Sequence, residues 1–183
     1  PSRLSIEMAT TLGTAGQLSG TIAEAHNGVL AMNANGFLDP NGGGDGSQLA
    51  GWCMSNGEGY GTHFAGEAYQ RIELSENGLD CRVVPASEPV GEGTYSAAEF
   101  MPALIRDGEK LENQDWTGEQ PRACFGAGDQ GIYMLVIEGR YPGDGIRGTS
   151  VNTCADILLA YGCRNAINMD GGSSAILWYD GEY

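Results

Sequence analysis

Positive charge is scarce in this sequence. Nine lysines and arginines stand against 24 aspartates and glutamates, a formal net charge of −15. A surface that negative repels phosphate backbones, so nucleic acid is a poor general partner. Long apolar runs are also missing: none approaches the ~20 residues of a membrane-spanning helix, and no membrane span is expected. The five cysteines (Cys53, Cys81, Cys124, Cys154 and Cys163) form no C-x-x-C pair and no zinc spacing. Their odd number leaves at least one thiol free. Their apolar neighbours suit buried reduced thiols acting as small hydrophobes, and one disulfide among loop cysteines is the other option.

What the chain has in excess is glycine, 30 of 183 residues without a Gly-X-Y period. Such a content implies many tight turns and backbone brought close to something. Hydrophobic residues at 41% and charged residues at 18% exclude a disordered tail or a coiled coil. The length suits one domain burying roughly 70% of its unfolded surface. Pro1 reads as a trimmed start, so residues 1–183 are expected to be one domain that can belong to a longer chain.

Leu18, Ile22 and Ala25 recur at helical spacing, which predicts a helix over 15–26 stopped by Asn27-Gly28. Val29 to Met32 reads as a buried strand, and 42–61 as a long glycine-rich loop. Strands are expected over 69–74 and 79–84, joined by Ser75-Glu76-Asn77-Gly78, and at 102–106 and 110–111 around Asp107-Gly108. Arg122 to Gly126 and Ile132 to Glu138 form a further hairpin, whose nearly all-apolar second run predicts a central strand. Val151, Cys154, Ala155, Leu158 and Leu159 make one apolar stripe on a helix over 150–161, followed by strands at 166–169 and 175–179. The expected fold is α+β, a mixed, largely antiparallel twisted sheet with two or three flanking helices.

Three polar groups close apolar strands. Asn33-Ala34-Asn35-Gly36-Phe37 offers the paired donors and acceptors that sugar hydroxyls need, or is a plain Asn-rich turn. Arg122 and the Glu138-Gly139-Arg140 run should share one end of their hairpin. Two guanidiniums beside a carboxylate there suit a phosphate, or form a surface ion pair. Asn168-Met169-Asp170-Gly171-Gly172-Ser173-Ser174 puts a carboxylate beside glycines whose N–H groups can converge on an anion, or is a glycine turn.

Taken in order, these motifs resemble the phosphodiester glycosidase family. The resemblance runs from about Val29 to Ile176 and rests on Asn33–Phe37, Pro121-Arg122-Ala123-Cys124-Phe125-Gly126, Val136-Ile137-Glu138-Gly139-Arg140 and Ala166–Ser174. This chain has two glycines after the aspartate where the family often has three, Ala123 where threonine often follows Pro-Arg, and Glu138 where aspartate is common. The resemblance implies hydrolysis of a sugar-1-phosphodiester, N-acetylglucosamine-1-phosphodiester-like, releasing the sugar and a phosphomonoester.

In that reading Asp170 and Glu138 are the catalytic candidates, with Asn33, Asn35, Arg122, Arg140, Asn168, Gly171, Gly172 and Ser173 around the substrate. Arginines near Asp170 are expected to keep it ionised, and Arg122→Ala to cut turnover far more than stability. His26 and His63 read as structural or solvated. An extracellular or cell-surface setting and no cofactor are expected. Two rival readings exist. One is a non-catalytic glycan- or phosphate-binding module of a larger secreted or phage-borne protein. The other is a calcium-dependent domain using Asp39-Pro40-Asn41-Gly42-Gly43-Gly44-Asp45-Gly46, although Ala50 stands where an EF-hand needs glutamate.

Overall fold

Period-2 burial and tight glycine turns fold the chain into two five-stranded sheets, seen in a computed structural model that describes residues 4–76, 78, 80–113 and 117–183. In chain order the elements are α1 (Ser19–Ala25), β1 (Leu30–Met32), β2 (Gly36–Phe37), β3 (Leu49–Ala50), β4 (Trp52–Ser55), β5 (Glu58–Gly61), β6 (Gln70–Leu74), β7 (Cys81–Pro85) and β8 (Ser96–Phe100). There follow β9 (Ala103–Arg106), β10 (Glu109–Lys110), β11 (Arg122–Gly128), β12 (Gly131–Ile137), α2 (Val151–Ala160), β13 (Cys163–Asn168) and β14 (Leu177–Tyr179). Sheet I has the order β10-β9-β13-β11-β12 and sheet II the order β5-β4-β8-β6-β7, with two-stranded ribbons β1-β14 and β2-β3.

Sheet I is covered on both faces. Ala103, Ala123, Phe125, Ala127 and Ile167 pack against Ile72, Leu74, Val83 and Ala98 of sheet II. On the opposite face, Leu104, Ile105, Cys124 and Ala166 meet Val151, Cys154, Ala155 and Leu158 of α2. Successive residues of β11 therefore serve different cores, as the alternation of a pleated strand requires. Ser150 caps α2 by accepting the Thr153 N–H, which satisfies one of the donors a helix start leaves free.

Several expectations need correction. Every strand pairing among the described residues is antiparallel, so the sheets are not mixed, and the described α-helices number two. The first helix begins at Ser19 rather than Ala15. The apolar run of β12 is an edge strand, not a central one. It is apolar because Ile132, Met134 and Val136 face the inter-sheet core while Tyr133, Leu135 and Ile137 face the helix side. The supposed loop over 42–61 contains β3, β4 and β5. Its Asn56-Gly57, at φ 50° and 81°, turns Ser55 directly onto Glu58, the residue pair a two-residue hairpin favours. Of the hairpin expected after β6, Asn77 of its turn and Leu79 at the start of its second strand lie outside the described residues. All five cysteines are free, four of them buried. No described helix is long and apolar enough to cross a membrane.

Candidate active site

The site is built where β13 runs out. Past Asn168 the backbone keeps pairing with β11: Met169 N–H donates to the Ala123 carbonyl (2.8 Å) and Gly172 N–H to that of Pro121 (3.0 Å). These bonds lay Asp170-Gly171-Gly172 over Pro121-Arg122. A side chain at Gly171 would put its Cβ 2.8 Å from the Pro121 oxygen. Only glycine permits that approach.

Arg140, just beyond β12, completes the meeting. Its guanidinium covers Gly172, and its Nε donates to Gln120 Oε1 at 3.0 Å. Arg140 holds φ at 68°, a left-handed conformation that non-glycine residues seldom adopt and that clusters at functional sites. β11 and β12 pair Arg122 with Ile137, so Arg122 and the Glu138–Arg140 run do share one end of the hairpin.

The β1–β2 connection holds the loop from the other side. Asn33 Nδ2 donates to the Asp170 carbonyl (2.8 Å), and its Oδ1 accepts the Ile176 N–H (3.1 Å). The Asn35 carbonyl accepts the Asp170 N–H at 3.3 Å. Its side-chain amide donates to the Trp52 carbonyl at 2.9 Å, while its buried Oδ1 has no partner among the described residues. Both asparagines thus grip Asp170 by its backbone.

Asp170 itself is half-buried. Burial pushes its carboxyl above the ordinary value, and the negative charge of Asp39 adds to this; hydrogen bonds from Ser174 and the Gly171 N–H pull the other way but do not prevail. No arginine contributes, which corrects the expectation that nearby guanidiniums hold Asp170 down. The reason is where those guanidiniums go. Arg122 is 6% exposed and spends Nε on the Thr149 carbonyl (3.1 Å) and Nη2 on that of Gly118 (2.8 Å). It has no carboxylate partner among the described residues, and burial pushes its pKa down. Cys124 and Cys154 lie beside it: their mutual hydrogen bond raises Cys124, with burial adding, and lowers Cys154, with the Arg122 charge adding.

The remaining candidates separate. Asn168 is buried and donates to the Met101 and Met169 carbonyls, both at 2.8 Å, so its amide is engaged by backbone. Ser173 is exposed beside the loop, and Glu138 is exposed with no ion pair to either arginine among the described residues. Of the glycine-loop N–H groups, those of Gly171 and Gly172 are already spent on Asp170 and Pro121. In the Asp39–Gly46 segment, Asp39 Oδ1 accepts the Gly44 N–H (2.6 Å) and Asp45 Oδ1 the Ser47 N–H (2.9 Å). No group of three or more His, Cys, Asp or Glu able to hold a metal occurs among the described residues. Sequence reasoning missed Gln120, and placed Ser174 in the glycine motif without making it a site candidate. Only their adjacency to Pro121-Arg122 and to the glycines could have flagged them.

The order of these motifs along two antiparallel sheets defines a class. The chain belongs to the phosphodiester glycosidase family, whose model matches residues 26–183. No curated protein matches the chain. Among solved structures, it is similar to the zebrafish N-acetylglucosamine-1-phosphodiester alpha-N-acetylglucosaminidase catalytic domain auto-inhibited by its pro-peptide, with a TM-score of 0.66 and 18% identity over 91% of this chain. A hypothetical protein from Synechocystis gives 0.59 and 15% over 97%. At these identities the likeness is one of fold, and the chain spans 58% and 52% of the two proteins' lengths.

Proposed function

We propose that the chain hydrolyses a sugar-1-phosphodiester of the N-acetylglucosamine-1-phosphodiester kind, releasing the sugar and leaving a phosphomonoester. The observation that carries this reading is the Arg140 guanidinium lying over Gly172, two residues after the half-buried Asp170, on a loop bare of side chains. Water bonds to the sugar C1 as the C1–O bond breaks, and that bond's electron pair leaves on the phosphate. Asp170 takes the proton from the water; burial makes it a stronger base than an exposed aspartate. Arg140 and those Arg122 donors that have no partner among the described residues hold the phosphate and stabilise the charge arriving on it. Phosphate is already a good leaving group, so acid assistance matters less than at an ordinary glycoside. Asn33 and Asn35 act as positioning residues through the Asp170 backbone, and Glu138 is the reserve carboxylate.

The test is a methyl diester of N-acetylglucosamine-1-phosphate. Equal release of N-acetylglucosamine and methyl phosphate supports hydrolysis. Binding of the diester without turnover supports instead a glycan- or phosphate-binding module.

A further inference from the structure

The outer face of sheet II buries charge. Arg71 and Glu99 are 0% exposed and Glu73 is 2% exposed. Arg71 Nε donates to Glu73 Oε1 (2.7 Å), and its Nη1 and Nη2 to the Ala86 and Glu88 carbonyls. Glu99 Oε2 accepts the N–H groups of Trp52 (3.2 Å) and Phe64 (3.1 Å), and Oε1 accepts Arg71 Nη1 (3.4 Å). His63 Nδ1 also bonds Oε1. With Glu99 as the carboxylate that these three N–H donors suit, Nδ1 of His63 is the fourth donor. The neutral ring then carries its lone pair on Nε2.

This imidazole is held but not enclosed. Its ring stacks on Trp52, centroids 4.6 Å apart at 27°, and the side chain is 43% exposed. Glu99 is the charged group in contact with it, with Arg71 and Glu73 behind. Cys53, near Glu99, is pushed up to about 11, chiefly by burial, and stays a neutral thiol. The same residues reach the candidate active site. Asp170 N–H bonds the Asn35 carbonyl, Asn35 the Trp52 carbonyl, Trp52 N–H bonds Glu99, and Glu99 bonds His63. Four consecutive hydrogen bonds join Asp170 to His63.

We propose that Glu99 and His63 form an acid–base dyad facing the phosphoryl group of the bound diester; this rests on the phosphodiester reading above. Glu99 fixes the ring and stabilises its protonated form, as a buried carboxylate does for a catalytic imidazole. As the C1–O bond breaks, the Nε2 proton of the imidazolium passes to the departing phosphate oxygen. Asp170 has meanwhile taken the proton of the attacking water, so one water is consumed and both groups are reset by proton exchange with solvent.

The chain has two histidines, so proton–nitrogen NMR separates them once His26→Asn assigns His26. N-acetylglucosamine-1-phosphate is the probe. The expected result is that His63 ring signals shift and its titration midpoint rises, by up to about 1 pH unit, while His26 stays put. His63→Asn keeps a donor for Glu99 and should lose about 100-fold in kcat on the methyl diester, with one limb of the pH profile. His63→Phe keeps the stack and should lose as much. An unmoved His63 at saturating probe overturns the dyad, as does a His63→Asn enzyme with parental kcat and pH profile. If the variants do not fold, the wild-type titration decides. If His63 responds to the probe while wild type hydrolyses no diester, the phosphate-facing dyad stands and the hydrolytic reading fails.

Discussion

The guanidinium of Arg140 lies on the backbone of Gly172, so close that a β-carbon on Gly172 would sit 2.9 Å from one of its nitrogens. Gly172 is therefore required twice, by its φ of +60° and by the cation resting on it. The contact puts a positive charge two residues from Asp170, on the loop that β11 holds in place.

Gly172→Ala should displace Arg140 while leaving the fold intact. The left-handed backbone costs a non-glycine residue roughly 1–2 kcal/mol, and the arginine tip is flexible enough to move. Turnover of a sugar-1-phosphodiester should fall about 10²–10³-fold, the loss typical of one charge-stabilising donor. Arg140→Ala, at an exposed position, should lose the same factor with stability changed by no more than about 0.5 kcal/mol. The double variant should be little worse than either, and independent losses that multiply would show that the contact is not used.

Arg122→Ala should behave differently from the sequence expectation. The side chain is buried, and its two charge-assisted bonds hold the Thr149 and Gly118 carbonyls. Removing them should cost about 3 kcal/mol, seen as a fall in Tm of roughly 6–12 °C for a domain of this size. A calorimetric Tm within 2 °C of wild type, taking ~2 °C as the shift of a sub-kcal change, would show that these bonds carry no stability.

Asp170→Asn should make the protein more stable at neutral pH. Burial raises the native carboxyl above its unfolded value, so the native state binds the proton more tightly. Charged Asp170 then costs stability at every pH above the native value, and the cost fades as pH falls through that value toward the ordinary carboxylate range near ~4. The Tm gain of the asparagine variant should be present at pH 7 and shrink below pH ~4. A loss of Tm at pH 7 would contradict the direction of the shift.

Much of this was legible in the residues. The Ser150-capped stripe of α2, the β11–β12 hairpin and the glycines after Asp170 follow local rules that tertiary contacts did not override. The strand that carries Glu99, β8, was not legible. Ser96-Ala97-Ala98-Glu99-Phe100 lacks branched residues, and its glutamate is buried because Arg71, Trp52 and Phe64 satisfy it from other elements. Periodicity could not separate central from edge for β12, since an edge strand lying between two cores is apolar on both faces. The Asn56-Gly57 turn was a local signal present all along, hidden by the glycines around it. Within the site, Arg140 lies on Gly172, two residues past Asp170. Arg122, Asn33 and Asn168 turned to backbone carbonyls, a choice set by neighbours that no local pattern names.

The most direct measurement compares wild type with Asp170→Asn on the methyl diester of N-acetylglucosamine-1-phosphate, following free sugar at neutral pH. Asparagine keeps the shape and the Ser174 contact while removing the charge, so folding should be retained and kcat should drop by roughly 100-fold or more, the size of losing a general base. Hydrolysis by the Asp170→Asn protein at close to the parental rate would contradict the account and remove Asp170 from the chemistry.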